Sequence, residues 1–418
     1  MTFGISSSFS SQISRPPLLG SPTEIIGTKV TGSSSQINLS WTAPTNNGGF
    51  PITNYTYNYQ YYDISNNVWS NYGSLFYVGS STTSTTVTGL FADTSYTFQV
   101  SAINSKGISS PATSSVVRTN KWILTLISNS VVNVAGKHWV KNASDVTGNK
   151  LVVAANGDHI YTSSDSGVNW TNRTTTLDWK WWNSICSNSN GNILAASSDY
   201  IYTSSDSGNT WIQKTGSGNR AWNGISLSSN GNLLVACVDG GFIYTSSDLG
   251  NNWNVRATTL GSKNWAGICS NNEGTRVVAA VRNDYIYVSS DSGANWTQKI
   301  SSGSRDWYDV ILLGTNLIFA YTAWEGIYKS SNLGDTWDNN ILPQSYGKIC
   351  FDLASSSDGT RLVAVIRGGY IYTSINSGAT WVEQTHLTNT GDWKNISSSS
   401  DGTKLFYSIS GGNLYTIR

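Results

Sequence analysis

Apolar residues come in short bursts along this chain, and each burst is closed by Gly, Asn, Asp or Ser. From about residue 139 onward the bursts recur as WWNSICS, AWNGISL, NWAGICS and DWYDVIL, then NILAAS or RVVAAV, then IYTS or IYVS. Runs of this length, rich in β-branched and aromatic residues and bounded by turn formers, predict strands. Asn190-Gly191, Asn230-Gly231, Asp358-Gly359 and Asp401-Gly402 mark tight hairpins between them. Before residue 120 the pattern changes to strict alternation, as in QINLSWTAP at 36–44 and SYTFQVSAIN at 95–104, which predicts half-buried strands of a two-sheet domain.

The strand tyrosine fixes a period. Tyr161, Tyr202, Tyr244, Tyr287, Tyr328, Tyr372 and Tyr415 stand 41, 42, 43, 41, 44 and 43 residues apart, the spacing of four-stranded propeller blades. The seventh copy stops at LYTIR before a fourth strand, and KWILTLIS at 121–128 resembles a fourth strand with no first three. Pairing the two ends predicts a seven-bladed β-propeller closed by the 121–127 strand, which removes open sheet edges. The fold class is therefore all-β, with boundaries at 1–20 for a Ser-rich flexible arm, 21–119 for a sandwich domain and 120–418 for the propeller.

Between strands three and four each copy carries a cassette, SSDSGVNW at 163–170 being the first. Its acidic or amide position is Asp165, Asp206, Asp248 and Asp291, then Asn332 and Asn376 in two degenerate copies. A short carboxylate or amide can accept backbone N–H groups across the turn, glycine takes a backbone shape closed to other residues, and tryptophan covers the hairpin. The cassette is read as a structural staple. The pattern resembles the Asp-box, or BNR, repeat of sialidases, sortilin-like receptors, xyloglucan-cleaving hydrolases and photosystem assembly propellers. That resemblance implies the fold and leaves the activity open, because those families differ in chemistry. Residues 21–119 resemble a fibronectin type III module, which assigns Trp41 to the core and Leu90 with Tyr96 to a tyrosine corner. The loop NSKGI at 104–108 lacks an RGD tripeptide, so the module reads as a spacer or as a ligand-binding domain of another kind.

Composition narrows the function. In 418 residues the net charge is +1 and only 12% are Asp, Glu, Lys or Arg, which excludes a specific nucleic-acid surface. No apolar run of 18 residues exists, so no membrane insertion is expected, and residues 1–20 do not read as a secretory signal. His138, His159 and His386 do not form a metal-ligand spacing, and no cofactor is expected. Cys186, Cys269 and Cys350 are placed at one first-strand position in alternate blades and, with Cys237, are expected to be free thiols.

At the blade entry a basic residue stands two positions before an aromatic: Lys137 and Trp139, Lys180 and Trp182, Arg220 and Trp222, Lys263 and Trp265, Arg305 and Trp307. Gln344 with Tyr346 and Gly391 with Trp393 depart from it. Interblade packing explains the recurrence. So does a groove in which Trp182, Trp222, Trp265 and Trp307 stack on sugar rings while Lys180, Arg220, Lys263 and Arg305 favour an acidic partner. Hairpins on the same face carry Asp158, Asp199, Asp239, Asp284, Glu325 and, in blade six, Arg367 with Arg282 beside Asp284. A sialidase resemblance would imply an arginine triad and a tyrosine nucleophile, neither of which can be placed. Asp306, Asp309, Glu325 and Asp392 are the carboxylates available for two-carboxylate glycoside cleavage, with no acid and base assignable. The reading is a non-catalytic recognition or structural protein of an exposed surface, such as a virion, fibre or cell envelope. It would bind a glycan or protein partner through the propeller face. The alternatives are a polysaccharide hydrolase like the xyloglucan-cleaving group and an assembly scaffold.

Overall fold

The computed structural model describes residues 18–30, 36–63, 68–88, 90, 94–120, 124–126, 136–339, 341–342, 349–367, 371–384, 393–409 and 411–417. The N-terminal arm up to residue 17, Trp122, Gln344, Tyr346, His386, Gly391 and Asp392 lie outside the described residues. The chain divides into two compact units, 1–122 and 123–418.

In the first unit the strands Thr23–Lys29, Ile37–Thr42 and Ser84–Val87 form one antiparallel sheet. A second sheet is built on Asn54–Asp63 and Ser95–Asn104, with Val117–Arg118 on its other side. The alternation read in INLSWT is realised as Ile37, Leu39 and Trp41 inward and Asn38, Ser40 and Thr42 outward. Trp41 meets Tyr55 edge to face with centroids 5.1 Å apart, and Leu90, Tyr96, Phe98 and Val100 close the same core. This region has the sheet arrangement of a fibronectin type III domain.

Among the described residues the second unit is built of antiparallel sheets, with short 3-10 turns at Thr215–Ser217, Thr258–Leu260 and Ile300–Ser302, in curled units that resemble propeller blades. Four-stranded sheets begin at Trp139–Ser144, at Ser184–Ser187 and at Cys350–Ser355. The sheets that start at Trp222–Leu227 and Lys263–Ser270 join into one of eight strands, through pairing of Leu234–Gly241 with Lys263–Ser270. The sheet from Trp307–Leu313 has three strands plus a bridge between Lys329 and Asp338. The last sheet runs Trp393–Ser398, Leu405–Ile409, Leu414–Ile417, and its fourth strand is Leu124–Leu126, with Leu124 opposite Ile417 and Leu126 opposite Tyr415. The first strand of each sheet lies against the first strand of the next, and Trp393–Ser398 lies against Trp139–Ser144.

Second and third strands are buried on both faces, which is why they read as unbroken apolar runs such as LVVAA and VVAAV. Neighbouring sheets share their cores. Val152, Ala154 and Ile160 of one pack with Trp182, Ile185 and Tyr202 of the next. Register corrects one expectation: Cys350 pairs with Ile366 as Trp393 does with Ile409, so Cys350 occupies the tryptophan position of its sheet. Only Cys186 and Cys269, opposite Ala195 and Val278, are equivalent. All four thiols are free, and burial pushes Cys269 up to about 11 and Cys186 and Cys237 up to about 12.

Candidate functional site

The blade-entry pairs form a repeated internal lattice. Trp182, Trp222, Trp265 and Trp307 are 0% exposed, and each ring meets the strand tyrosine of its own sheet edge to face at 5.1 to 5.5 Å. Each indole Nε1 donates to a backbone carbonyl, Trp182 to Asp158 at 3.0 Å and Trp265 to Gly241 at 3.0 Å. The expected aromatic platform is therefore absent: the faces that would stack on sugar are spent on tyrosine, because the wedge between sheets needs a large apolar filler.

The basic partners are engaged as well. Lys180 sits over Tyr202 and reaches Asp199 at 3.2 Å, and Lys263 sits over Tyr287 and reaches Asp284 at 2.7 Å. Arg305 lies over Tyr328 and pairs with Glu325, and Lys137 lies over Tyr161 and pairs with Asp158. Arg220 covers Tyr244 and donates to the Ser217 carbonyl. The tyrosine hydroxyls complete the motif by donating to the same acids, Tyr202 to Asp199 at 3.1 Å and Tyr287 to Asp284 at 3.1 Å. A carboxylate answers the cation at Lys137, Lys180, Lys263 and Arg305, so the entry recurrence is mostly packing.

The cassettes close on themselves. Ser163 Oγ donates to Asp165 Oδ1 at 2.8 Å and accepts the Gly167 N–H at 2.8 Å, while Asp165 Oδ1 also accepts the Asn169 N–H at 2.9 Å. The same bonds recur at Asp206, Asp248 and Asp291, and with an amide oxygen at Asn332 and Asn376. Two successive left-handed residues make the turn, Ser166 at φ 58° and Gly167 at φ 85°, which is why glycine follows at that place. Trp170 Nε1 reaches back to the Gly167 carbonyl at 3.1 Å. Among the described residues no cluster of three or more His, Cys, Asp or Glu could hold a metal ion.

First strands from Trp139–Ser144 through Trp393–Ser398 line one cavity of about 750 Å³. A bulge after the entry position, between Trp139 and Lys141 for example, turns the second residue toward it. Those second residues are Lys141, Ser184, Gly224, Gly267, Asp309, Asp352 and Asn395. Lys141 Nζ lies 3.0 Å from Asp309 and 2.9 Å from Asp352. Asp352 also accepts the Ile396 N–H at 3.0 Å and faces the Tyr321 hydroxyl at 3.3 Å. Burial alone would lower the Lys141 pKa, and the two carboxylates more than reverse it, so the ammonium stays charged. Gly267 has no alternative, since a Cβ there would lie 2.0 Å from Asp309 Oδ1.

The other carboxylates once available for catalysis are scattered. Glu325 is held at the rim by Arg305 and the Tyr328 hydroxyl, Asp306 stands beside the entry of its sheet, and Asp309 is tied to Lys141. His138 lines the cavity, whereas His159 contacts Thr174. What pattern reading missed is an arc of the cavity mouth. Arg282 lies 5.3 Å over Tyr308, and Lys394 lies 4.5 Å and Arg367 5.9 Å over Phe351. Among the described residues neither Arg282 nor Lys394 has a carboxylate partner. Arg282 and Arg367 were visible in the sequence as hairpin residues; Tyr308, Phe351 and Lys394 were hidden as ordinary strand residues one place after the entry position.

Comparison with known proteins adds the fold and one domain. Residues 20–118 match the fibronectin type III domain. No curated protein matches the chain in sequence. The chain is similar in structure to YCF48 bound to D1 peptide, at 16% identity and a TM-score of 0.57, covering 71% of this chain and 94% of that one. It is likewise similar to YCF48 from Cyanidioschyzon merolae, at 15% identity and a TM-score of 0.55, covering 71% and 98%. At such identity the likeness is one of fold. Among the described residues no helix is long and apolar enough to cross a membrane.

Proposed function

We propose that this protein is a non-catalytic recognition protein of an exposed surface. Its residues 120–418 make a closed seven-bladed propeller, and 21–119 form an accessory fibronectin type III-like domain behind a short arm. Closure is supported by the ladder between Leu124–Leu126 and Leu414–Ile417 and by the contact of the last first-strand with the first. Lys141 adds a cross-axis tie by joining repeats one, five and six.

The partner is a carboxylate-bearing segment of another protein, received at the mouth of the central cavity. The observation that carries this reading is the pair Arg282 and Lys394, each resting on an aromatic ring, facing the cavity mouth and lacking an acid to neutralise it. Cations so placed attract carboxylates while Tyr308 and Phe351 supply contact area. One structural neighbour carries a peptide by its printed description, which supports a propeller of this type as a peptide-binding frame. A hydrolase is disfavoured because the facing carboxylates Asp309 and Asp352 are both bound by the Lys141 ammonium and Glu325 is bound by Arg305, which leaves no free acid and base pair among them.

The test is fluorescence anisotropy with a labelled hexaglutamate peptide. The wild type binds and loses affinity as salt rises, and the Arg282→Ala, Lys394→Ala double variant binds at least tenfold more weakly. Equal affinity for wild type and variant, or none for either, overturns the reading.

A further inference from the structure

The segment Trp179-Lys180-Trp181-Trp182 alternates sharply. Lys180 and Trp182 turn inward, onto Tyr202 and Asp199, while Trp179 and Trp181 are 62% and 63% exposed. The backbone holds this alternation firmly. Lys180 bridges Asp158, its carbonyl accepts the Gly157 N–H at 3.0 Å, and the Trp181 carbonyl accepts Ser198 Oγ at 2.9 Å. The two exposed indoles stand nearly perpendicular, 75° apart with centroids at 6.3 Å, and form one corner of an adjoining open cavity of about 420 Å³. Asn183, Ser198, Asp199 and Arg220 line the rest of it.

Nothing in the repeat calls for tryptophan at these two places. The positions equivalent to Trp179 are Gly136, Asn219, Ser262 and Ser304, and those equivalent to Trp181 are His138, Ala221, Asn264 and Asp306. Four other entries thus fold with small or polar residues where this one shows two bare indoles. Two large exposed rings cost solubility and gain no packing, so their use lies outside the fold.

We propose that Trp179 and Trp181 form a binding subsite for a pyranose oligosaccharide, with the indole faces taking the apolar face of the sugar ring. Asp199 and Arg220 border that corner with an acceptor and a donor of the kinds that hydroxyl groups need. A quaternary ammonium, the other usual guest of paired aromatics, is opposed by Lys180 and Arg220 against the single charge of Asp199. The rings are preorganised by the backbone bonds at Lys180 and Trp181, so little ordering is required on binding. The subsite differs from the peptide groove in its contacts, since neither Arg282 nor Lys394 lines it, while Trp181 and Asn183 border both cavities.

The experiment is a glycan array carrying neutral β-1,4-linked glucose and N-acetylglucosamine oligomers and sialylated chains, probed with the full-length protein. Trp179→Ala and Trp181→Ala are the variants. Trp324→Ala, which removes an exposed indole from another hairpin, is the control. Expected is retention of at least one oligosaccharide class by the wild type and the Trp324 variant. Loss should be at least tenfold in each of the other two, with melting curves unchanged. Titrating the retained oligosaccharide should also shift the exposed indole N–H signals in the NMR spectrum. No retention by wild type, or equal retention by Trp179→Ala and Trp181→Ala, would overturn the subsite.

Discussion

Lys141 and Asp352 are 211 residues apart in the chain and meet at 2.9 Å inside the central cavity. With Asp309 they form a cation shared between two acids, reached from three separate first strands. Removing the cation leaves two facing carboxylates in a partly buried site. Lys141→Met should therefore cost about 2–4 kcal/mol, somewhat below a fully buried pair because the ammonium keeps some solvent. Adding Asp309→Asn and Asp352→Asn, which removes both charges and keeps an acceptor for the Ile396 N–H, should recover much of that loss. Chemical denaturation of the three proteins reads both steps.

In the cassettes the acceptor matters more than the charge. Asn332 and Asn376 already make, with an amide oxygen, the bonds that Asp165 makes with a carboxylate. Asp165→Asn should be nearly neutral, whereas Asp165→Ala should cost about 1 kcal/mol through unpaired turn groups at an exposed hairpin. Thermal melting distinguishes the two. A stable alanine variant that had lost partner binding would turn the staple into a binding residue.

Acid should act through the same hairpins. The Asn252 backbone N–H and side chain, with Ser246, hold the Asp248 carboxyl down to about 2, and the Asn295 backbone N–H lowers Asp291 likewise. Both folded values lie below the unfolded value of about 3.9. The unfolded chain therefore binds the proton first, and the contribution is complete above about pH 4 and lost as pH falls toward 2. Urea unfolding between pH 4.5 and 2.5 should show stability falling with pH, with a shallower slope for Asp248→Asn. An NMR titration should place the Asp248 midpoint near 2.

Adjacent tryptophans should behave oppositely. Trp182 is fully buried against Tyr202, and its replacement by alanine should cost about 3–5 kcal/mol. Trp181 is exposed, and the same change should stay within about 0.5 kcal/mol. Equal effects would show that the alternation of this segment has been misassigned.

Local chemistry was readable in the sequence, and distance was not. The cassettes could be read because the bonds that join their serine, acid or amide, and glycine span at most four residues, so residue order specifies the turn. The strands of each sheet were legible from the tyrosine period for the same reason. The basic and aromatic entry pairs had two physically sound readings, wedge packing and ligand platform. Only the position of the neighbouring sheet decides whether an indole face meets tyrosine or water. Cys350 escaped because the residue that marks the repeat had itself been replaced, leaving register as the sole guide. Trp179 and Trp181 were overlooked because attention to what recurs hides what occurs once. Lys141 could not be matched with Asp309 and Asp352, since nothing local signals partners 168 and 211 residues away.

The central claim is that the cavity mouth, rather than the cassette hairpins or the fibronectin-like domain, receives the partner. Hydrogen–deuterium exchange with and without hexaglutamate tests it directly. Protection should appear in segments containing 138–142, 282, 308–309, 351 and 394–396, and should vanish in the Arg282→Ala, Lys394→Ala variant. Protection confined to the hairpins around Asp165, Asp206, Asp248 and Asp291, or to residues 20–118, would contradict it, as would no protection anywhere.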